Sequence, residues 1–300
     1  MLDIAIIGGG PAGLSAGIYC MRGGVLARLY EEMFTGGQIV KTHRVDNYPG
    51  FSEGPDGFAL GAAFETHAVK LGLNIEYAPI LKLTLSDEKK VLTLPSGEVE
   101  AKCVILCMGA NPRPLGIDRE NDFVGSGISY CATCDGAFYR NKTVAVIGGG
   151  DTAVSDAIYL SALCKKVYLI HRREQFRASE QLQKTAFSKD NIELVLNSTV
   201  EELVGEKQLS ALTVKNKLTG EHKTLEVDGA FVAVGIVPRT ELVRGQVELL
   251  PDGSVKTDEF MQTNIKGVFA AGDIRNTPLR QVITACADGA IAATRAMELC

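Results

Sequence analysis

The chain has 300 residues, room for about two domains of ordinary size. Its composition, 46% apolar and 22% charged, is that of a globular protein, and glycine is the outlier at 32 residues, about 11% against a usual ~7%. A net charge of −5 offers no basic footprint for nucleic acid, and no apolar run reaches the ~20 residues that a membrane helix needs.

The start, Met1-Leu2-Asp3, lacks the basic patch of a signal peptide, which predicts a cytoplasmic protein. Eight cysteines are too few for a secreted disulfide scaffold, so most are expected as reduced thiols.

In chain order, an apolar strand over residues 2–7 runs into Gly8-Gly9-Gly10-Pro11-Ala12-Gly13. A helix to about Arg22 follows, then a strand over 25–30 ending at Glu31-Glu32. Hairpin strands are predicted at 81–85 and 91–94, and a buried strand at 103–108 that ends at Gly109. The same plan then recurs. A strand over 142–147 meets Gly148-Gly149-Gly150-Asp151-Thr152-Ala153, a helix to about Leu163 and a strand over 166–170. Hairpin strands at 211–215 and 223–227 and a strand over 230–234 ending at Gly235 complete the second copy. A last strand, 267–271, ends at Gly272-Asp273, and a helix is predicted from about Gln281 to Leu299. This tail has no glycine loop and is expected to complete the first domain. The fold class is therefore α/β, with two Rossmann-like dinucleotide-binding domains, the first discontinuous. The expected boundaries are 1–112 with 241–300 for one domain and 113–240 for the other. The connections are the proline-bearing segments 111–114 and 237–240.

Gly8-x-Gly10-x-x-Gly13 follows a strand and opens a helix. Glycine suits the tight turn, the approach of backbone to a pyrophosphate and the close packing of helix on strand. The helix N-terminus then offers unpaired N–H groups and the positive end of its dipole. Glu31, at the end of the next strand, is expected to accept a ribose hydroxyl. In Gly148-x-Gly150-x-x-Ala153 the following strand ends instead in His171-Arg172-Arg173-Glu174-Gln175-Phe176-Arg177. Arginine pairs bidentately with phosphate oxygens, so this site is expected to read the 2′-phosphate of NADPH. Two unlike dinucleotide sites suggest an electron relay, with FAD as the natural occupant of the first.

Cys131-Ala132-Thr133-Cys134-Asp135 lies just before the second loop. A zinc site would need two further ligands at suitable spacing, and the other cysteines are scattered singly. The pair is therefore read as a redox dithiol, with no metal site. Asp135 is either a general acid or a helix cap.

Together these segments resemble the low-molecular-weight thioredoxin reductases. The resemblance covers nearly the whole chain and rests also on Gly36-Gly37-Gln38, on 269–273 and on Arg280-Gln281. The cysteine and arginine segments are its specific parts. It implies a homodimeric enzyme that uses FAD and NADPH to reduce the disulfide of thioredoxin. It implies that Cys134 is the thiol nearer the flavin, that Cys131 attacks the protein substrate and that Asp135 donates the proton. It places Gly8, Gly10, Pro11, Ala12, Gly13, Glu31, Gly37, Gln38, Asn47, Gly272, Asp273, Arg280 and Gln281 around FAD. It places Gly148, Gly150, Asp151, Thr152, Ala153, His171, Arg172, Arg173 and Arg177 around NADPH. Two stretches depart from the family: Leu106-Cys107-Met108-Gly109, where it usually has Ala-Thr-Gly, and 125–130, which carries a bulky Tyr130 at a position usually small.

The competing readings are a related disulfide reductase with another protein partner, a dithiol oxidase, and an NADPH-sensing module. The arginines argue against the oxidase, and a sensing module has no need of the dithiol. Dithiol and nicotinamide loop belong to one domain and need the same flavin. Rotation of that domain about the two proline-bearing connections is the expected solution.

Overall fold

Apolar runs too short for helices and bounded by glycine become the buried parallel strands on which the molecule is built. The structure, a computed structural model, describes residues 1–300 apart from 42–44 and 46, and of Lys41 and Cys134 it describes only the backbone. The chain divides into two units, one of Met1–Asn111 with Val237–Cys300 and one of Pro112–Ile236.

The first unit begins with β1 (Leu2–Ile7), α1 (Pro11–Gly23), β2 (Ala27–Glu31), α2 (Gly57–Lys70), β3 (Asn74–Tyr77), β4 (Lys82–Leu85), β5 (Lys90–Leu94) and β6 (Gly97–Leu106). A short strand, β7 (Ala110–Pro112), carries the chain out of it. The second unit holds α3 (Glu120–Phe123), β8 (Ile128–Ser129), α4 (Ala132–Asp135), β9 (Thr143–Gly148), α5 (Asp151–Ser161), β10 (Lys166–Ile170), α6 (Glu180–Phe187) and β11 (Ile192–Val195). It continues with β12 (Ser198–Gly205), β13 (Leu209–Asn216), β14 (His222–Glu226) and β15 (Gly229–Ala233). The chain returns through β16 (Ile236–Pro238) and ends the first unit with β17 (Val268–Ala270) and α7 (Val282–Met297).

In the first unit β3, β2, β1, β6 and β17 lie side by side and parallel. The long β6 also pairs through its first half with the antiparallel hairpin β4–β5. The second unit repeats this with a parallel sheet, β11-β10-β9-β15-β8, and a separate antiparallel sheet, β12-β13-β14. Each unit has its own apolar core on both faces of its parallel sheet.

The predicted strands and helices are all present, with ends shifted by one or a few residues. Six strands were not predicted: β3, β7, β8, β11, β12 and β16. They are short, or interrupted, as β12 is by register shifts at Val200/Glu202 and Val204/Gly205.

Helices α1 and α7 pack through small residues, Ala12 and Ala16 on one and Ala285, Ala292, Ala293 and Ala296 on the other. Small side chains let the backbones approach, and this seats α7 against the first glycine loop. One charged pair lies inside this packing. Arg275 and Asp288 are each 7% exposed. The Asp288 carboxylate accepts from Arg275 Nη1 at 3.1 Å and from the Gly272 N–H at 3.1 Å. Arg275 Nε donates to Thr257 Oγ1 at 2.7 Å. The pair thus ties α7 to the turn that ends β17. Because a buried charge without its partner is costly, Asp288→Ala is expected to lower the stability of the protein by about 3–5 kcal/mol in denaturant titration.

Candidate dinucleotide and dithiol sites

The first loop leads straight from β1 into α1, and Pro11 takes the first helical position, where no N–H is needed. The approach is too close for a side chain. A Cβ on Gly13 would strike the Gly8 carbonyl oxygen, and one on Gly8 would strike the Cys107 carbonyl oxygen. The Glu31 carboxylate closes over the loop, accepting from the Gly9 N–H at 2.7 Å and from the Met33 N–H at 3.1 Å. Each oxygen keeps a lone pair for another donor.

Beside this loop the first unit contains a cavity of about 900 Å³. It is lined by twelve of the thirteen residues expected around FAD: Gly8, Gly10, Pro11, Ala12, Glu31, Gly37, Gln38, Asn47, Gly272, Asp273, Arg280 and Gln281. Gly13 is the exception and lies behind the loop, against the strand. Gln38 donates to the Ala110 carbonyl at 3.1 Å, and Asn47 Nδ2 donates to Gln281 Oε1 at 2.9 Å. Gln281 and Thr284 form a reciprocal cap that fixes the start of α7 at the cavity wall. Burial pushes the Asp273 carboxyl above its usual range, and the nearby Arg280 charge partly opposes this.

Sequence reasoning missed Tyr30, Met108, Ala78 and Ile80, which also line the cavity. Their apolar character reads as core. Tyr30 is 1% exposed, and its hydroxyl finds no hydrogen-bond partner among the described residues. The volume, the helix N-terminus and the side-chain-free loop all fit a dinucleotide.

The second loop repeats the construction between β9 and α5. Here the His171 ring lies against Gly149, at a place where any Cβ would collide with it. The ring stacks on Phe176 with centroids 5.2 Å apart, and its Nε2 is 3.2 Å from the Gln175 carbonyl. Burial holds the His171 imidazole below its ordinary pKa, helped by the charges of Arg177, Arg172 and Arg173. The neutral ring therefore donates from Nε2. The Arg177 N–H donates to the Gly149 carbonyl at 2.7 Å, which brings the arginine segment back onto the loop. Arg172, Arg173 and Arg177 are exposed and have no ion pair among the described residues, so their charge faces solvent at this edge. Gly148 ends β9, Gly150 is the N-cap of α5, and Asp151, Thr152 and Ala153 form the first turn of α5. Asp151 Oδ1 accepts from the Ser179 N–H at 2.8 Å.

The dithiol segment sits in the same unit. Strand β8 ends at Ser129, Cys131 precedes the four-residue α4, and Asp135 is the last residue of α4. Cys131 is half-buried and disulfide-bonded. The thiols of Cys20, Cys103, Cys107, Cys164, Cys286 and Cys300 are free. The Cys134 side chain, one of the expected redox pair, lies outside the described residues. No group of residues suited to a metal ion occurs among the described residues. Asp135 is not a helix N-cap for the following turn, since its side chain makes no capping bond there. Its carboxylate is instead held by Ser129 at 2.6 Å.

The orphaned hydroxyl gives a sharp expectation. Tyr30→Phe leaves the stability of the apoprotein unchanged or raises it by about 1 kcal/mol, because an unmet hydroxyl is removed. Denaturant titration of the apoprotein checks this.

Comparison with known proteins agrees with this geometry. The chain is 43% identical over 300 residues to the thioredoxin reductase of Peptoclostridium acidaminophilum, covering 98% of this chain and 95% of that one. It is 43% identical over 301 residues to the thioredoxin reductase of Helicobacter pylori, covering 98% and 97%. The crystal structure of Lactococcus lactis thioredoxin reductase in its FR conformation is similar with a TM-score of 0.93 at 37% identity, covering 100% of this chain and 99% of that one. Residues 2–289 match the pyridine nucleotide-disulphide oxidoreductases, and the chain belongs to that family.

Proposed function

We propose that the protein is an NADPH-dependent, FAD-containing thioredoxin-disulfide reductase, a homodimer of the cytoplasm. The observation that carries this reading is the disulfide-bonded Cys131 beside Asp135, in the same unit as the arginine-edged second loop. A redox-active disulfide next to an acid, with a nicotinamide loop alongside, is the equipment of a disulfide reductase. Among the described residues, no helix is long and apolar enough to cross a membrane.

FAD would be held in the cavity of the first unit by the Gly8–Gly13 loop, Glu31, Gln38, Asn47, Asp273 and the start of α7. Bound there, it accepts hydride from the nicotinamide and supplies the electron pair that reduces the disulfide. The protein's own residues do the rest. Arg172, Arg173 and Arg177 bind the 2′-phosphate of NADPH, and the first turn of α5 meets its pyrophosphate. Cys131, as a thiolate, attacks one sulfur of the thioredoxin disulfide. A Cys131–substrate bond forms, and the other substrate sulfur leaves as a thiolate. Cys134 then attacks Cys131, which restores the enzyme's disulfide and frees the second substrate sulfur. Asp135 supplies a proton to a thiolate set free in this sequence. Since the dithiol and the second loop share a unit, they take turns at the flavin by rotation about the connections at 111–114 and 237–240.

Two experiments test this. The purified protein should be yellow and should oxidise NADPH only when oxidised thioredoxin is present. Arg172→Ala with Arg177→Ala should lower the preference for NADPH over NADH by about a hundredfold, from two lost charge-assisted contacts. Reaction with another dithiol protein but with no thioredoxin would overturn the substrate assignment. For the rotation, a cross-link between the two units should stop turnover while one half-reaction persists. Full turnover in the locked protein would refute it.

A further inference from the structure

Ser129, the last residue of β8, stands two residues before Cys131. Ser129 is 5% exposed, and its hydroxyl stands between two parts of the redox site. Its Oγ donates to Asp135 Oδ2 at 2.6 Å. The same Oγ accepts from the Cys131 N–H at 3.0 Å. A hydroxyl has one hydrogen, so these two bonds define its orientation. The amide occupies a lone pair, and the hydrogen points at the carboxylate.

A second acceptor, the Cys131 carbonyl, lies 3.3 Å from the same Oγ. The hydroxyl therefore has two settings. When Asp135 is a carboxylate, the hydrogen lies on Oδ2. When Oδ2 carries a proton, that O–H donates a hydrogen bond to Oγ, and the hydroxyl hydrogen turns to the Cys131 carbonyl. Asp135 stays bonded to Ser129 in both of its protonation states.

The backbone around this hydroxyl is fixed independently. Tyr130 donates to Glu120 Oε1 at 2.6 Å. The buried Glu120 carboxylate also accepts the Leu115 and Gly116 N–H groups, each at 2.8 Å. On the other side, Ser129 is paired with Phe231 of β15. Removal of the Ser129 hydroxyl therefore leaves the entry to the dithiol anchored by its neighbours.

We propose that Ser129 is a positioning residue for the proton transfer of disulfide reduction, holding Asp135 in register with Cys131 through its single hydroxyl. This rests on the reading of Asp135 as the proton donor. The proton that Asp135 gives to a free thiolate is recovered from solvent, so the step needs no further reactant.

The test is a double-mutant cycle on the holoenzyme with NADPH and oxidised thioredoxin. Ser129→Ala should lower kcat about tenfold with KM for thioredoxin unchanged, and should raise the solvent deuterium isotope effect on kcat. Ser129→Thr, which keeps the hydroxyl, should restore most of the rate. Ser129→Ala combined with Asp135→Asn should be no slower than Asp135→Asn alone, because Ser129 acts through Asp135. Additive losses, or a Ser129→Ala enzyme with normal kcat and isotope effect beside a slow Asp135→Asn enzyme, would overturn the proposal and leave the proposed function standing. An Asp135→Asn enzyme of normal rate would overturn both the role of Asp135 and that of Ser129. If Ser129→Ala fails to fold or to retain flavin, Ser129→Gly takes its place in the cycle under the same criteria.

Discussion

The close seating of a helix start on the end of a parallel strand governs how this protein is built. Such a contact leaves no room for a side chain, and it exposes a row of unpaired backbone N–H groups at the edge of the sheet. In the first unit the seat is so tight that Gly13 lies against the Gly8 carbonyl. In the second, an imidazole ring occupies the space that a Cβ on Gly149 would need. Glu31 grips the first loop through Gly9, and the Arg177 backbone returns to the second through Gly149. The two loops share one geometry and differ in charge, acidic at the first and basic at the second. That difference is what separates their expected ligands.

The long-range bonds explain why the first cavity has a stable outline. Its far wall comes from the end of the chain, and the buried Arg275–Asp288 pair fixes that wall to the Gly272 turn. The small residues of α1 and α7 bring this wall to the first loop without intervening side chains. Charge is thus used inside the first unit to set the position of a turn, while apolar packing sets the distance between helices.

Much of this could be read from the order of residues. Glycine loops and the Cys-x-x-Cys segment are local patterns, and each demands a particular chemistry at fixed spacing. The repeated strand, loop and helix likewise follow from short apolar runs ended by glycine. Other features depend on the folded chain. Tyr30 sits in an apolar strand and reads as core until the cavity it lines is known. Asp288 looks like an ordinary charge in a helix, because its partner lies thirteen residues away across a turn. Ser129 is one polar residue in a two-residue strand, and only its distance to Asp135 reveals a use. Strand β12 was hidden by bulges, which break the alternation that marks a strand. Pattern reveals chemistry that is local in sequence, and it is silent where the partners meet only through folding.

The interrupted layout of the first unit also bears on how the protein is made. Strand β17 completes its parallel sheet, and α7 covers the helix that follows the first loop, yet both come after the whole of the second unit. During synthesis from the N-terminus, α1 must wait for α7, more than two hundred residues downstream, and β6 for β17. The second unit, whose strands and core all lie within one continuous stretch, meets no such delay. Domains commonly fold as units in the order in which they emerge. Here that order is reversed: the inserted unit can close first on the ribosome, and the unit it interrupts closes last.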